Sequence, residues 1–231
     1  MKSYNPAMRV AVISDVHCAG PDDPIQQAFV AWLDALQADA LWMLGDIFHW
    51  GWVFEAGIQS VYVPILDALR RAQDRGIELL FVGGNHDFAV APLLDDMGVE
   101  VRGAHTRAVD GRTVFLAHGD EADRTIGYRL TKRVLQGSVF GALVRSMGPA
   151  RGSRLLAQLA GAQKTDVFQE ADRRARDWLK TKLSDETTLA MCGHFHLAAH
   201  EHHESGEVVT LAAGGGPAAV WLVDGAVVWH P

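Results

Sequence analysis

Five short polar motifs each follow directly on an apolar run, and this repeated pairing restricts the fold more than any other feature of the chain. Arg9–Ser14 leads into Asp15-Val16-His17, and Ala40–Leu44 into Gly45-Asp46. Ile77–Val82 leads into Gly83-Gly84-Asn85-His86-Asp87, and Thr113–Ala117 into His118-Gly119-Asp120. Thr187–Cys192 leads into Gly193-His194-Phe195-His196. Short apolar runs bounded by turn residues read as buried strands. Between them lie helical patterns: from Pro24 through Leu36, over Val61–Arg75 with Gly76 as the stop, and over Pro92–Met97, followed by a strand near Val99–Arg102. Strand, helix, strand, helix, strand is the order of a layered α/β sheet. Polar groups at the carboxyl ends of such strands converge on one crevice, so five loops become one site.

The residue types in those loops suit a pair of divalent ions. A carboxylate can bridge two metals about 3.5–4 Å apart, the spacing of two-metal phosphoryl chemistry. Imidazole and carboxylate ligands fit Mn, Fe, Zn or Co better than Ca or Mg, and glycines beside them allow close approach of the backbone. Each motif alone is common. Together their order, spacing and strand context point to a dimetal hydrolase. His49 and Trp50, just after Asp46, either line this cleft or pack beneath the sheet edge. His105 carries no such support; His200, His202 and His203 read as a solvated turn in preference to an extra metal tract. Met43 and Met191 lie in apolar strands and read as core.

The chain changes character after Asp123. From Arg124 to Lys182 there are thirteen Lys or Arg against four Asp or Glu, a local balance of +9, so the remainder of a chain with net charge −7 carries −16. Apolar residues recur there at helical spacing through Leu130, Val134, Leu135, Phe140, Leu143, Val144 and Met147, then Leu155, Leu156 and Leu159. The pattern predicts basic amphipathic helices broken at Gly148–Pro149 and Gly161, then a helix over Val167–Leu183. From Leu197 to Trp229 short apolar runs alternate with Gly-rich turns and predict antiparallel strands closing the sheet. The acidic net charge argues against a general nucleic-acid binder. Cys18 and Cys192 are too few for a disulfide framework. The sequence has neither a signal-peptide pattern at Met1–Met8 nor an apolar run of transmembrane length, so a cytoplasmic protein, peripheral on the inner membrane if membrane-associated, is expected.

The motif series D-x-H, GD, GNHD, H and GHxH resembles the calcineurin-like metallophosphoesterase superfamily over residues 8 to about 215. The resemblance implies an α/β (α+β) four-layer αββα sandwich, a single domain over 1–231 with a helical cap inserted at about 123–166. It places Asp15, His17 and His196 on one ion and Asn85, His118 and His194 on the other, with Asp46 as the bridge. His86 becomes the general acid or phosphate contact, steadied by Asp87. The HGDE-x-D opening, Tyr128-Arg129 and the basic insertion look like the UDP-2,3-diacylglucosamine pyrophosphohydrolases of lipid A synthesis. In that family a helical lid holds the acyl chains, and the metal is typically manganese. That family's best-known branch carries Arg at the position of His86, so this chain has the general superfamily form there. Basic residues beside an apolar helix face suit an anionic head group with acyl tails, or an anionic membrane surface. Substrate contacts are expected from Asp123, Arg124, Tyr128, Arg129 and Lys132. Two other readings remain: a phosphodiesterase or phosphatase acting on nucleotides or another phospholipid, and a non-catalytic interaction module.

Overall fold

The computed structural model describes residues 7–54, 57–123, 125–160, 168–214 and 218–229. In chain order the elements are β1 (Arg9–Ile13), α1 (Pro24–Ala35), β2 (Ala40–Met43), β3 (Val53–Phe54), β4 (Gly57–Ile58), α2 (Val63–Asp74), β5 (Glu78–Val82), α3 (Ala91–Asp96), β6 (Glu100–Arg102), β7 (His105–Val109) and β8 (Arg112–Ala117). Then come α4 (Ile126–Leu135), α5 (Ser138–Ser146), α6 (Gly148–Ala160), α7 (Phe168–Lys180), β9 (Thr187–Cys192), β10 (Ala199–His203), β11 (Gly206–Thr210), β12 (Val220–Val223) and β13 (Ala226–Trp229).

The strands form two large sheets, ordered β13-β12-β1-β2-β5-β6 and β10-β11-β9-β8-β7. Period-2 alternation explains how they stack. Val10, Val12, Ala40, Trp42, Leu80 and Val82 point to one face of the first sheet and meet Val114, Leu116, Leu189, Met191 and Val209 of the second. The intervening residues Ala11, Ile13, Leu41, Met43, Leu79 and Phe81 point outward and pack with Phe29, Leu33, Ile65, Leu69 and Leu94 of α1, α2 and α3. Ala190, Cys192 and Val208 pack with Ala175 and Leu179 of α7 on the far side. The order of layers is therefore helix, sheet, sheet, helix, as expected. Met43 and Met191 are core, and both cysteines are buried and free.

Three features depart from expectation. The C-terminal strands do not close one sheet: β12 and β13 extend the first, while β10 and β11 extend the second, where β11 runs parallel to β9. Strand β7 was not foreseen, although Asp110-Gly111 joins it to β8 with φ of 47° and 74° at the two turn residues, the conformation that tight hairpins demand of such a pair. His200, His202 and His203 lie in β10 rather than in a turn. The basic insertion forms α4, α5 and α6, with Gly137 separating the first two; its expected end, residues 161–166, lies outside the described residues. Its apolar side rests on a platform from the β2–β4 region, where Val144 and Leu156 pack with Trp50, Trp52 and Phe54.

Trp42 is among the largest fully buried side chains and sits between the sheets. Trp42→Ala should cost about 3–5 kcal/mol of stability, measured by urea unfolding. A loss below about 1 kcal/mol would contradict the two-sheet core.

Candidate active site

The five motifs meet at one edge of the two sheets. Asp15 follows β1 and Asp46 follows β2, its parallel neighbour. Asn85, His86 and Asp87 follow β5; His118 follows β8, and His194 and His196 follow β9. The first three loops belong to one sheet and the last two to the other, so the site straddles the sandwich. Two hydrogen bonds tie the sheets here. His194 donates its backbone N–H to Asp15 Oδ2 at 2.7 Å, and His118 Nδ1 donates to the Leu44 carbonyl at 2.8 Å.

The local backbone is strained where the polar side chains turn inward. Asp15, His17, Asp46, His194 and His196 all have φ between 53° and 71°. Non-glycine residues rarely adopt this region, at a cost of order 1–3 kcal/mol each, and such residues cluster at functional sites. Glycine is required at two of the neighbouring positions. A Cβ on Gly84 would land on Asp46 Oδ1, and one on Gly193 would overlap Ser14 Oγ and Asp15 Oδ2.

Ligand-type atoms converge in two groups, Asp15 with His17 and His196, and Asp46 with His118 and His194, each within 4.8 Å. Asp15 Oδ1 is buried and accepts no hydrogen bond; His196 Nε2 lies 3.4 Å and His17 Nε2 3.9 Å from it. Those two imidazole nitrogens face each other at 3.3 Å, an arrangement in which at most one proton fits between them. Because His118 Nδ1 is engaged by Leu44, its Nε2 is left facing Asp46 Oδ2 at 3.5 Å and Asn85 Oδ1 at 3.1 Å. Fixing one ring nitrogen on a carbonyl in this way presents the other as a ligand. Burial pushes His17 down to about 4, and burial together with the His118 ring pushes His194 down to about 4, so both rings are neutral donors at pH 7. Burial alone would raise the carboxyl of Asp46, but the His118 ring reverses that and holds it below the usual range. A buried carboxylate oxygen without a hydrogen-bond donor, facing imidazole nitrogens, is the donor set of a divalent cation.

His86 sits beside both groups. Its Nε2 is 3.8 Å from Asp46 Oδ2, and its ring centroid is 5.0 Å from that of His17 and 4.8 Å from Trp50. His49 also faces it, at 5.7 Å, and together with His17 the three form another close group of nitrogens. The question left open by the sequence is thereby answered: His49 lines the site, and buried Trp50 both lines it and supports α5 and α6. Asp87 departs from its expected role of steadying the His86 ring. It is fully buried, accepting from Gly84 N–H at 2.9 Å on one oxygen and from Ile47 N–H at 2.7 Å and Phe48 N–H at 3.3 Å on the other. Its carboxylate braces the two loops that carry Asp46 and His86.

Among the expected substrate contacts, Tyr128 and Lys132 turn toward the protein. Both donate to Asp120 Oδ2, Tyr128 Oη at 2.8 Å and Lys132 Nζ in a close ion pair. Lys132 is thus not an uncommitted cation, because buried Asp120 needs a countercharge. Asp120, two residues after His118, was singled out in the sequence only as part of its motif. Asp123 accepts from Thr125 N–H at 2.9 Å and leads into α4. Arg129 is exposed; Arg124 lies outside the described residues. Asp123, Tyr128, Arg129 and Lys132 line a cleft of about 630 Å³, within the usual range for small-molecule sites.

Comparison with known proteins agrees with this geometry. The profile of the calcineurin-like phosphoesterases matches residues 8–222, and the chain belongs to that family. It is a metal-dependent phosphoester hydrolase. Relatives named UDP-2,3-diacylglucosamine hydrolase include one from Pseudomonas aeruginosa, 30% identical over 71% of this chain and 70% of that protein. One from Serratia proteamaculans is 26% identical over 96% and 94% respectively. One from Chromohalobacter salexigens is 36% identical, but over only 49% of this chain and 47% of its own length. Among the described residues, no helix is long and apolar enough to cross a membrane.

Asp87→Asn should separate bracing from tautomer control. An amide offers one acceptor oxygen where three backbone donors converge, so stability should fall by about 1–3 kcal/mol, the cost of buried donors left unpaired. The metal content should fall with it. A variant of native stability and full metal content, slow only in turnover, would restore the direct role toward His86.

Proposed function

We propose that the protein hydrolyses the pyrophosphate of UDP-2,3-diacylglucosamine, giving UMP and 2,3-diacylglucosamine 1-phosphate, with two divalent ions, manganese in the first instance. Asp15, His17 and His196 would hold one ion, Asn85, His118 and His194 the other, and Asp46 would bridge them. Ions so held activate a water at neutral pH and neutralise phosphoryl oxygens. The protein supplies the rest. His86, close to Asp46 and against Trp50, is placed to protonate a leaving oxygen or hold a phosphoryl oxygen. Asp87 keeps the His86 loop in register through the backbone.

The observation that carries the substrate is the surface of α4. This helix buries none of its residues. One face turns Arg129 and Arg133 to the cleft, beside Lys132 in its pair with Asp120. The adjoining stripe, at i, i+4 and i+8, is Ile126, Leu130 and Val134, which are 85%, 62% and 55% exposed. Val139 and Leu143 on α5 are exposed as well. A contiguous apolar stripe beside cations at the rim of a phosphoryl site suits an anionic head group with attached acyl chains. The names of the relatives support the same substrate class. On this reading α4–α6, within 123–166, form the cap over the site, and the protein meets its lipid at the inner leaflet. A phosphodiesterase on simple nucleotides would have no use for the apolar stripe.

Asp46→Ala should abolish turnover and lower the content of both metals, read by elemental analysis. His86→Ala should retain the metals and slow turnover by about 10²-fold or more, the usual contribution of a positioned general acid. Unchanged turnover would remove His86 from the chemistry.

Each buried methylene contributes about 0.8 kcal/mol, so a few of them outweigh any single polar contact to the uridine. The kcat/KM for UDP-2,3-diacylglucosamine should therefore far exceed that for UDP-N-acetylglucosamine. Comparable values for the two, or cleavage of simple nucleotides only, would replace the lipid reading by a generic phosphodiesterase.

A further inference from the structure

We propose that the β10–β11 hairpin carries a separate site for a divalent transition-metal ion, built from His200, His202 and Glu207. Their ligand atoms lie within 4.8 Å of one another, and none of the three takes part in the phosphoesterase site. The strand ladder sets the geometry. His200 and His202 are two residues apart on β10 and so share one face, with ring centroids 4.8 Å apart. Glu207 stands directly opposite His202 in the antiparallel register, where cross-strand side chains meet. Glu207 Oε2 lies 2.6 Å from His200 Nε2.

The surroundings hold the three donors in place. Arg112 takes the other carboxylate oxygen, Oε1, at 2.6 Å and is itself fixed by Thr188 and by the Gly225 carbonyl. An outer partner of this kind orients a ligating carboxylate. On the opposite face of β10, Glu201 pairs with Lys180 at 2.5 Å and Arg176 at 3.3 Å on α7, which pins the strand so that His200 and His202 face away from that helix. Two imidazoles and one carboxylate form an established ligand set for zinc when water completes the coordination, and the set also suits copper and nickel. His202 is exposed and His200 and Glu207 are half-buried, so such water has access. A bound ion displaces any proton shared between His200 and Glu207, and binding therefore weakens as pH falls.

The test is equilibrium dialysis of the metal-free chain against buffered Zn²⁺, alongside His202→Ala and, as a conservative second variant, His202→Gln. Both substitutions fall at an exposed position. Each variant should take up one zinc ion fewer per chain, or bind that ion roughly ten-fold or more weakly, while its Mn²⁺-dependent hydrolysis matches that of the native chain and reports an intact fold and phosphoesterase site. Zinc isotherms that superimpose for the native chain and both variants would overturn the site and leave a simple His200–Glu207 ion pair.

Discussion

Two buried carboxylates, Asp15 and Asp46, at the ends of adjacent parallel strands, are the constraint on which the rest of the structure depends. An ionised carboxylate taken out of water costs several kcal/mol unless hydrogen bonds and countercharge compensate it. Each receives one backbone N–H from a different loop: His194 serves Asp15 and His86 serves Asp46 at 2.9 Å. The first of these bonds crosses from one sheet to the other, and the second joins neighbouring strand ends within a sheet. The loops are thus fixed by the charges they surround. The left-handed backbone at both aspartates and the absence of a Cβ at Gly84 and Gly193 are what let the chain come this close. What backbone donors leave unmet, above all Asp15 Oδ1, faces imidazole nitrogens and a cation would complete it.

The site was legible because its chemistry is local in sequence. A carboxylate or imidazole immediately after an apolar run announces both the strand and the side chain at its end, and for that reason Asp15, Asp46, Asn85, His118, His194 and His196 could be named before their contacts were known. The layering was legible for a related reason, since Leu41 and Met43 alternate with Ala40 and Trp42 and so require a layer on each side. Pairing between distant strands was not. Nothing in Gly206–Thr210 says that it runs parallel to β9 rather than antiparallel, because that choice rests on the connection through β10 and on packing across the sandwich. β7 is faint in the sequence for a different reason: its apolar alternation is weak, and Asp110-Gly111 alone marks the hairpin beside it. The backbone bracing by Asp87 is not legible either, because the direction of a carboxylate in a Gly-rich loop is set by contacts such as Ile47 and Phe48 N–H that lie far off in sequence.

The helices after Asp123 obey different physics from the sandwich. Val144 of α5 and Leu156 of α6 are anchored by apolar packing on Trp50, Trp52 and Phe54. α4 is held more lightly: it buries no residue fully, Leu135 at its end packs half-buried against the same cluster, and toward the site loop it is held by Tyr128 and Lys132 on Asp120. Elements with few buried apolar contacts open at the lowest free energy. Within this region, then, α4 is the segment whose position can respond to a ligand at modest cost, and it is also the one that carries the exposed apolar stripe.

Asp120 links that helix to the metal-binding loops. Burial alone would raise its carboxyl, yet the His118 ring and then Lys132 hold it below the usual range. Positive charge at this point, whether a proton on His118 or a cation that it holds, favours the ionised form of Asp120. The ionised form is the one that grips Lys132 and Tyr128 with charge-assisted hydrogen bonds, which are roughly twice as strong as neutral ones. Tyr128 in turn lies with its ring centroid 5.8 Å from that of His194, on the same side of the site as His118. A single carboxylate thus lies between the His118 loop and the contacts that seat α4. The polar part of the attachment of α4 therefore depends on Asp120 staying ionised.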